Sequence, residues 1–161
     1  MTPMKMKSLV LFSIVISMNH VRMIDADADA DADADSGLDA LTKVFEVNVY
    51  DNLPNGNSNL ITHCQSKDND FGNHKLYLNQ YQRWSFHQNI FKTTLYFCYF
   101  TWNGKHQTFD VFNKHLAGDC QTGVGGNVCS WIVKSDGFYF SPNRLTPAGP
   151  IGNLDKRYNW K

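Results

Sequence analysis

The stretch "TLYFCYFTWNGKHQTFDVF", residues 94–112, decides the fold class. Its first nine residues are aromatic, β-branched or apolar at almost every position, which favours an extended strand over a helix. Asn103-Gly104 follows, a pair that tolerates the positive φ of a tight hairpin turn, and a second strand-like run closes the segment. The alternation puts Tyr96, Cys98, Phe100 and Trp102 on one side and Leu95, Phe97 and Tyr99 on the other. With both sides apolar, this strand is expected to be central and covered on both faces.

Outward from this hairpin, similar runs recur about every ten residues: 43–50, 60–65, 75–78, 82–87, 128–134 and 138–141. Asp136-Gly137 supplies a second hairpin signal, and helical periodicity is weak. The reading is an all-β chain, a small antiparallel β-sandwich of about eight short strands with two intramolecular disulfides. In the run 128–134, Cys129, Trp131 and Val133 share a face.

Residues 1–24 differ in kind. Lys5 and Lys7 precede an eleven-residue apolar run, residues 8–18, too short to span a bilayer and suited to a secretory signal peptide. Residues 25–40 begin with a strict Asp-Ala repeat of six carboxylates, read as a solvated acidic tail because alanine offers too little apolar area to order it. The folded domain is assigned to residues 41–161. The whole chain is formally neutral, but this domain carries twelve basic and eight acidic residues, a net charge of +4. Its basic residues are scattered, so nucleic acid is not an expected partner. A weakly basic secreted domain is instead steered towards acidic polymers or acidic receptor faces. Once the signal is cleaved, no stable membrane insertion is expected. No N-x-Ser/Thr acceptor occurs, so no N-linked glycan is expected either.

All four cysteines, Cys64, Cys98, Cys120 and Cys129, lie inside the domain. An even number in a secreted chain implies two disulfides with three possible connectivities. Their spacings of 34, 22 and 9 lack the close pairs of a zinc site, so no metal or other cofactor is expected.

The sequence carries no catalytic signature. "HCQSKDNDFG", residues 63–72, gathers a histidine, a cysteine and two aspartates, but G-x-S-x-G, H-E-x-x-H and P-loop motifs are absent from the chain. Cys64 is assigned to a disulfide, and Ser66 to Asp70 read as a polar turn whose exit Gly72 permits. Partner recognition is placed in two loops, where strands do not commit side chains to packing. These are residues 113–127, with Asn113, Lys114, His115, Asp119 and Gln121, and residues 51–59, with Asp51, Asn55 and Asn57. Trp84 and Trp160 are candidate platforms for a sugar ring.

The order of the pieces at residues 63–76, 84–86, 94–102, 109–112, 129–133 and 136–139 resembles the plant self-incompatibility S-protein family, from about residue 44 to residue 141. The resemblance implies a secreted β-sandwich with two intramolecular disulfides, acting as an extracellular signalling ligand with no catalytic residues. In the family's best-understood role a pistil protein is perceived by a cell-surface partner on pollen, and incompatible pollen is arrested. Related developmental or defence signalling is also compatible with it. The alternatives are a carbohydrate- or wall-binding module and, less favoured, a secreted hydrolase or nuclease. Asn69 stands where the family pattern leads one to expect an aspartate, and the acidic repeat is foreign to that pattern. The disulfide pairing expected is Cys64 with Cys129 and Cys98 with Cys120.

Overall fold

The computed structural model describes residues 43–56, 59–146 and 148–161. The proposed signal peptide and acidic repeat, and Asn57, lie outside the described residues. Nine strands form: β1 Val44–Asp51, β2 Leu60–Gln65, β3 Asp70–Leu76, β4 Tyr81–His87, β5 Tyr96–Trp102, β6 Lys105–Phe112, β7 Val128–Lys134, β8 Gly137–Ser141 and β9 Asp155–Tyr158. One helical turn, α1 (Leu116–Asp119), lies between β6 and β7.

The strands build two sheets, one ordered β4-β1-β7-β8-β9 and the other β3-β2-β5-β6. Both hairpin signals are used: Asn103 and Gly104 adopt positive φ at the β5–β6 turn, and Gly137 does so at the start of β8. Every sheet pairing is antiparallel except β1 with β7, which is parallel and reached through a long crossover. The sheets face one another across an aromatic core. Phe45, Phe100, Phe112, Trp131 and Phe138 are fully buried. Phe109 lies 4.8 Å from Trp131 and 5.0 Å from both Phe100 and Phe138, ring centre to ring centre. Each such side chain contributes roughly 1.5–3 kcal/mol by burial, and tilted aromatic pairs add about 0.5–1.5 kcal/mol. Trp131 Nε1 donates to the Val111 carbonyl at 2.9 Å, tying β7 in one sheet to β6 in the other.

Several expectations need correction. The disulfides are Cys64–Cys98 and Cys120–Cys129, not Cys64–Cys129 and Cys98–Cys120. Cys64 and Cys98 stand opposite each other in the β2–β5 pair, with Cα atoms 4.0 Å apart. Cys129 belongs to the other sheet. Packed sheets lie about 10 Å apart, beyond the reach of roughly 7 Å that a disulfide spans between Cα atoms. Cys129 instead meets Cys120, which leaves α1 with its Cα 4.8 Å away.

The strand covered on both faces is β7, not β5. Val128 through Val133 are all fully buried, because residues 142–146 and 148–154 lie over the outer face of β7 and β1. Ser130 Oγ donates to the Asn143 carbonyl at 2.8 Å, and a side chain added at Gly149 would meet the Tyr50 hydroxyl. The outer face of β5 is open, and Tyr99 is 45% exposed there. β3 begins at Asp70 and takes in only the first two residues of the expected run 75–78, because pairing with β2 extends it through polar residues. β9 was not anticipated. Its Asp-Lys-Arg-Tyr sequence carries one large apolar residue, Tyr158, which stacks on Phe109 at 4.2 Å.

Candidate recognition surface

β1 separates the two loops expected to recognise a partner. At its Val44 end, Asn127 donates through Nδ2 to the Val44 carbonyl at 2.8 Å, and the Glu46 N–H donates to the Asn127 carbonyl at 2.9 Å. At its Asp51 end the neighbours are Gln80 and Val133. Eight extended residues span about 26 Å, so residues 113–127 and 51–56 lie at opposite ends of the sandwich.

Four of the seven named loop residues that the structure describes serve the fold. Asp51 is 2% exposed, and its carboxylate accepts the Leu53 N–H at 2.8 Å. Burial raises its pKa, opposed by that hydrogen bond. Asn113 Oδ1 accepts the N–H groups of His115 and Leu116, both at 3.0 Å, and so opens the turn into α1. Asp119 pairs with Arg157 at 3.1 Å. Gln121 donates to the Ala117 carbonyl at 2.7 Å and accepts from Lys43 Nζ at 2.5 Å. Lys114, His115 and Asn55 are exposed and remain available for contact.

The segment 63–72 is an ordered hairpin turn. Ser66 Oγ accepts the N–H groups of Asp68 and Asn69 at 3.3 and 3.0 Å, and Asn69 donates through Nδ2 to the Tyr96 hydroxyl at 3.2 Å. Gly72 sits within β3 at φ +67°, after the turn and not at its exit. Its N–H and His63 hold the Asp70 carboxyl below the usual aspartate range, with His63 Nε2 2.6 Å from Asp70 Oδ1. The cysteine that follows His63 is locked in a disulfide, which removes the one thiol in the segment. Among the described residues, no group of three His, Cys, Asp or Glu side chains is placed to hold a metal. Trp84 packs on Phe71 and Tyr96, and Trp160 on Trp102 and Phe138, so both are engaged in the domain's packing.

Sequence reading missed residues 88–95, the β4–β5 connection. Asn89 organises it: its carbonyl accepts the Lys92 N–H at 2.9 Å, its Oδ1 accepts the Thr93 N–H at 2.8 Å, and its Nδ2 donates to Thr93 Oγ1 at 2.6 Å. The Asn89 N–H donates to Thr94 Oγ1 at 2.9 Å. Lys92 holds a left-handed φ of 55°, a conformation that a non-glycine residue adopts only when neighbouring contacts impose it. Ile90 and Phe91 occupy the two central positions of this turn and project outward, Phe91 80% exposed. Val44 pairs with His87 and the Gln88 N–H donates to the Lys43 carbonyl, so the projection shares an end with residues 113–127. Val124, 79% exposed, lies in that second loop. At this end Ile90 lines one cleft and Phe91 and Leu95 the next, with Val44 and Val124 also exposed, while Tyr77, Leu78 and Tyr81 are exposed at the other end. Phe91 is the most exposed large apolar side chain among the described residues. The available signal was an Ile-Phe pair flanked by Asn and Thr outside any alternating run.

The sequence profile of plant self-incompatibility protein S1 matches residues 46–160. The chain belongs to this family. The match continues past residue 141, where the resemblance had been drawn to a close, and takes in β9. S-protein homolog 5 of Arabidopsis thaliana is 33% identical over 107 residues, 66% of this chain and 71% of the relative. Self-incompatibility protein S1 of Papaver rhoeas is 32% identical over 96 residues, 60% of this chain and 67% of the relative. A solved structure of SPH (Self-Incompatibility Protein Homologue) proteins, described as a widespread family of small, highly stable, secreted proteins from plants, superposes with a TM-score of 0.52 at 16% identity. It covers 74% of this chain and 96% of that one, and shows the shared family fold. Among the described residues no helix is long and apolar enough to cross a membrane.

Proposed function

We propose that this S1-family protein is a secreted signalling ligand, read by a cell-surface protein at the sandwich end that carries residues 88–95 and 113–127. Membership in a family named for self-incompatibility, and likeness to proteins described as secreted, support the class of function. The observation that carries the choice of surface is Phe91, held outward by four hydrogen bonds around Asn89. An ordered loop loses little freedom on docking, and a projecting aromatic with a pocket on the partner is the usual anchor of a small interface. The His63–Asp70 pair is read as a structural contact of the turn, and the protein as no enzyme.

Labelled protein should bind intact cells saturably and be displaced by unlabelled protein. Binding that never saturates, or turnover of a polysaccharide or nucleic acid lost on His63→Ala, would refute this reading.

The second reading, a wall-polysaccharide module, has one observation in its favour. Tyr99 stacks on His106 on the open face of the four-stranded sheet, beside a cleft of about 580 Å³. Retention on a polysaccharide column that depends on Tyr99 would favour it.

A further inference from the structure

Between residues 88–92 and α1 lies a cleft of about 310 Å³ whose charged lining is entirely cationic: Lys43, Lys92 and Lys114. Lys92 and Lys114 form no ion pair with any described residue, and Lys43 is held through Gln121. Three ammonium groups around one small cleft repel one another, and an anion seated among them reverses that repulsion. Gln88, 6% exposed, forms part of the cleft wall, and Asn89 and Gln121 line it beside the lysines. A carboxylate suits such a cleft, since its two oxygens accept hydrogen bonds from several ammonium groups at once.

We propose that this cleft receives acidic side chains of the protein partner, so that Phe91 and an adjacent carboxylate site together define what the partner must offer. This rests on the reading of the protein as a ligand for a cell-surface protein. The apolar neighbours select a protein as the source. Ile90 lines the same cleft, and Lys92 and Lys114 also line the next one, together with Phe91 and Leu95. One contact therefore joins apolar and cationic groups, which an acidic face with an apolar pocket matches. A polyuronate supplies the carboxylates without a pocket, and Asp110 at the second cleft disfavours a dense run of charge there.

The full disulfide-bonded protein should be titrated calorimetrically at low salt with hexaglutamate peptide, with oligogalacturonate and with inorganic phosphate in parallel arms. Hexaglutamate should bind, weaken steeply as salt is raised, and bind at least tenfold more weakly to the Lys92→Gln, Lys114→Gln double variant. Thermal melting of each variant confirms the fold. The double variant should also lower saturable cell binding, whereas Phe91→Ala should lower cell binding and leave hexaglutamate binding unchanged. No hexaglutamate binding, or binding indifferent to the lysines, overturns the cleft while a Phe91→Ala effect on cells still upholds the ligand reading. Tighter, lysine-dependent binding of oligogalacturonate or phosphate overturns the protein source. Loss of all saturable cell binding in the unmodified protein defeats the ligand reading itself, whatever hexaglutamate does.

Discussion

Asp51 illustrates how a polar residue in a loop-like sequence becomes part of the fold. It is nearly fully buried at the end of β1, between neighbours supplied by Gln80 and Val133, and its carboxyl titrates above the ordinary aspartate value because burial penalises the charge. Between the ordinary value and the raised one, the folded protein holds this proton more tightly than the unfolded chain does. The Asp51 contribution to stability is therefore greatest at acid pH and is lost as pH rises through that window. Asp51→Asn retains an oxygen for the Leu53 N–H, so urea unfolding should show the variant more stable than the parent at pH 7 and level with it at pH 3. Asp70 has the opposite sign. Its lowered pKa adds stability above the ordinary aspartate value that disappears as pH falls below it. Neither residue's role was legible in sequence. "DNLPNGNSN" is polar and glycine-containing, and only the return of the chain at residues 80 and 133 buries its first residue. The His63–Asp70 contact depends likewise on the β2–β3 register.

At the scale of elements, the hairpin stretch 94–112 was readable because its signals are local: alternating large residues, then a dipeptide suited to a tight turn. The cysteine pairing was not, because it depends on which strands become neighbours. With β2 beside β5 in one sheet, Cys64 faces Cys98, and the short segment 120–129 closes on itself. Peptide mapping under non-reducing conditions should recover Cys64–Cys98 and Cys120–Cys129. By chain entropy, the 34-residue closure stabilises by about 4 kcal/mol and the 9-residue closure by about 2.5 kcal/mol. Replacing Cys64 and Cys98 together by alanine should therefore lower the urea midpoint further than replacing Cys120 and Cys129. The β4–β5 projection was overlooked for a related reason. Its Asn89 hydrogen bonds are local, but its meaning comes from standing beside α1 and residues 113–127, which are distant in sequence.

For the whole molecule, the two sheets are joined at the chain's C-terminal end. His106 and Lys161 exchange backbone hydrogen bonds at 3.1 and 3.0 Å, Gln107 Nε2 donates to the Asn159 carbonyl at 2.7 Å, and Trp160 Nε1 donates to the Lys134 carbonyl at 2.8 Å. The Trp160 ring lies 4.5 Å from Phe138 and 5.9 Å from Trp102. Trp160→Ala should lower unfolding free energy by about 3 kcal/mol in denaturant titration, by lost burial and an unpaired carbonyl. The sandwich class was legible from strand spacing, while the closing role of a four-residue strand with one large apolar side chain was not. This frame leaves two loop ends about 26 Å apart, and only one gathers Phe91, Val124 and the lysine cleft. Competition for cell binding by two equally folded variants tests that choice most directly. Phe91→Ala alters the end carrying the projection, and Tyr77→Ala alters the exposed β3–β4 turn at the other end. The account predicts that Phe91→Ala competes at least tenfold less well than the parent protein and that Tyr77→Ala competes equally well; full competition by Phe91→Ala together with loss for Tyr77→Ala would contradict it.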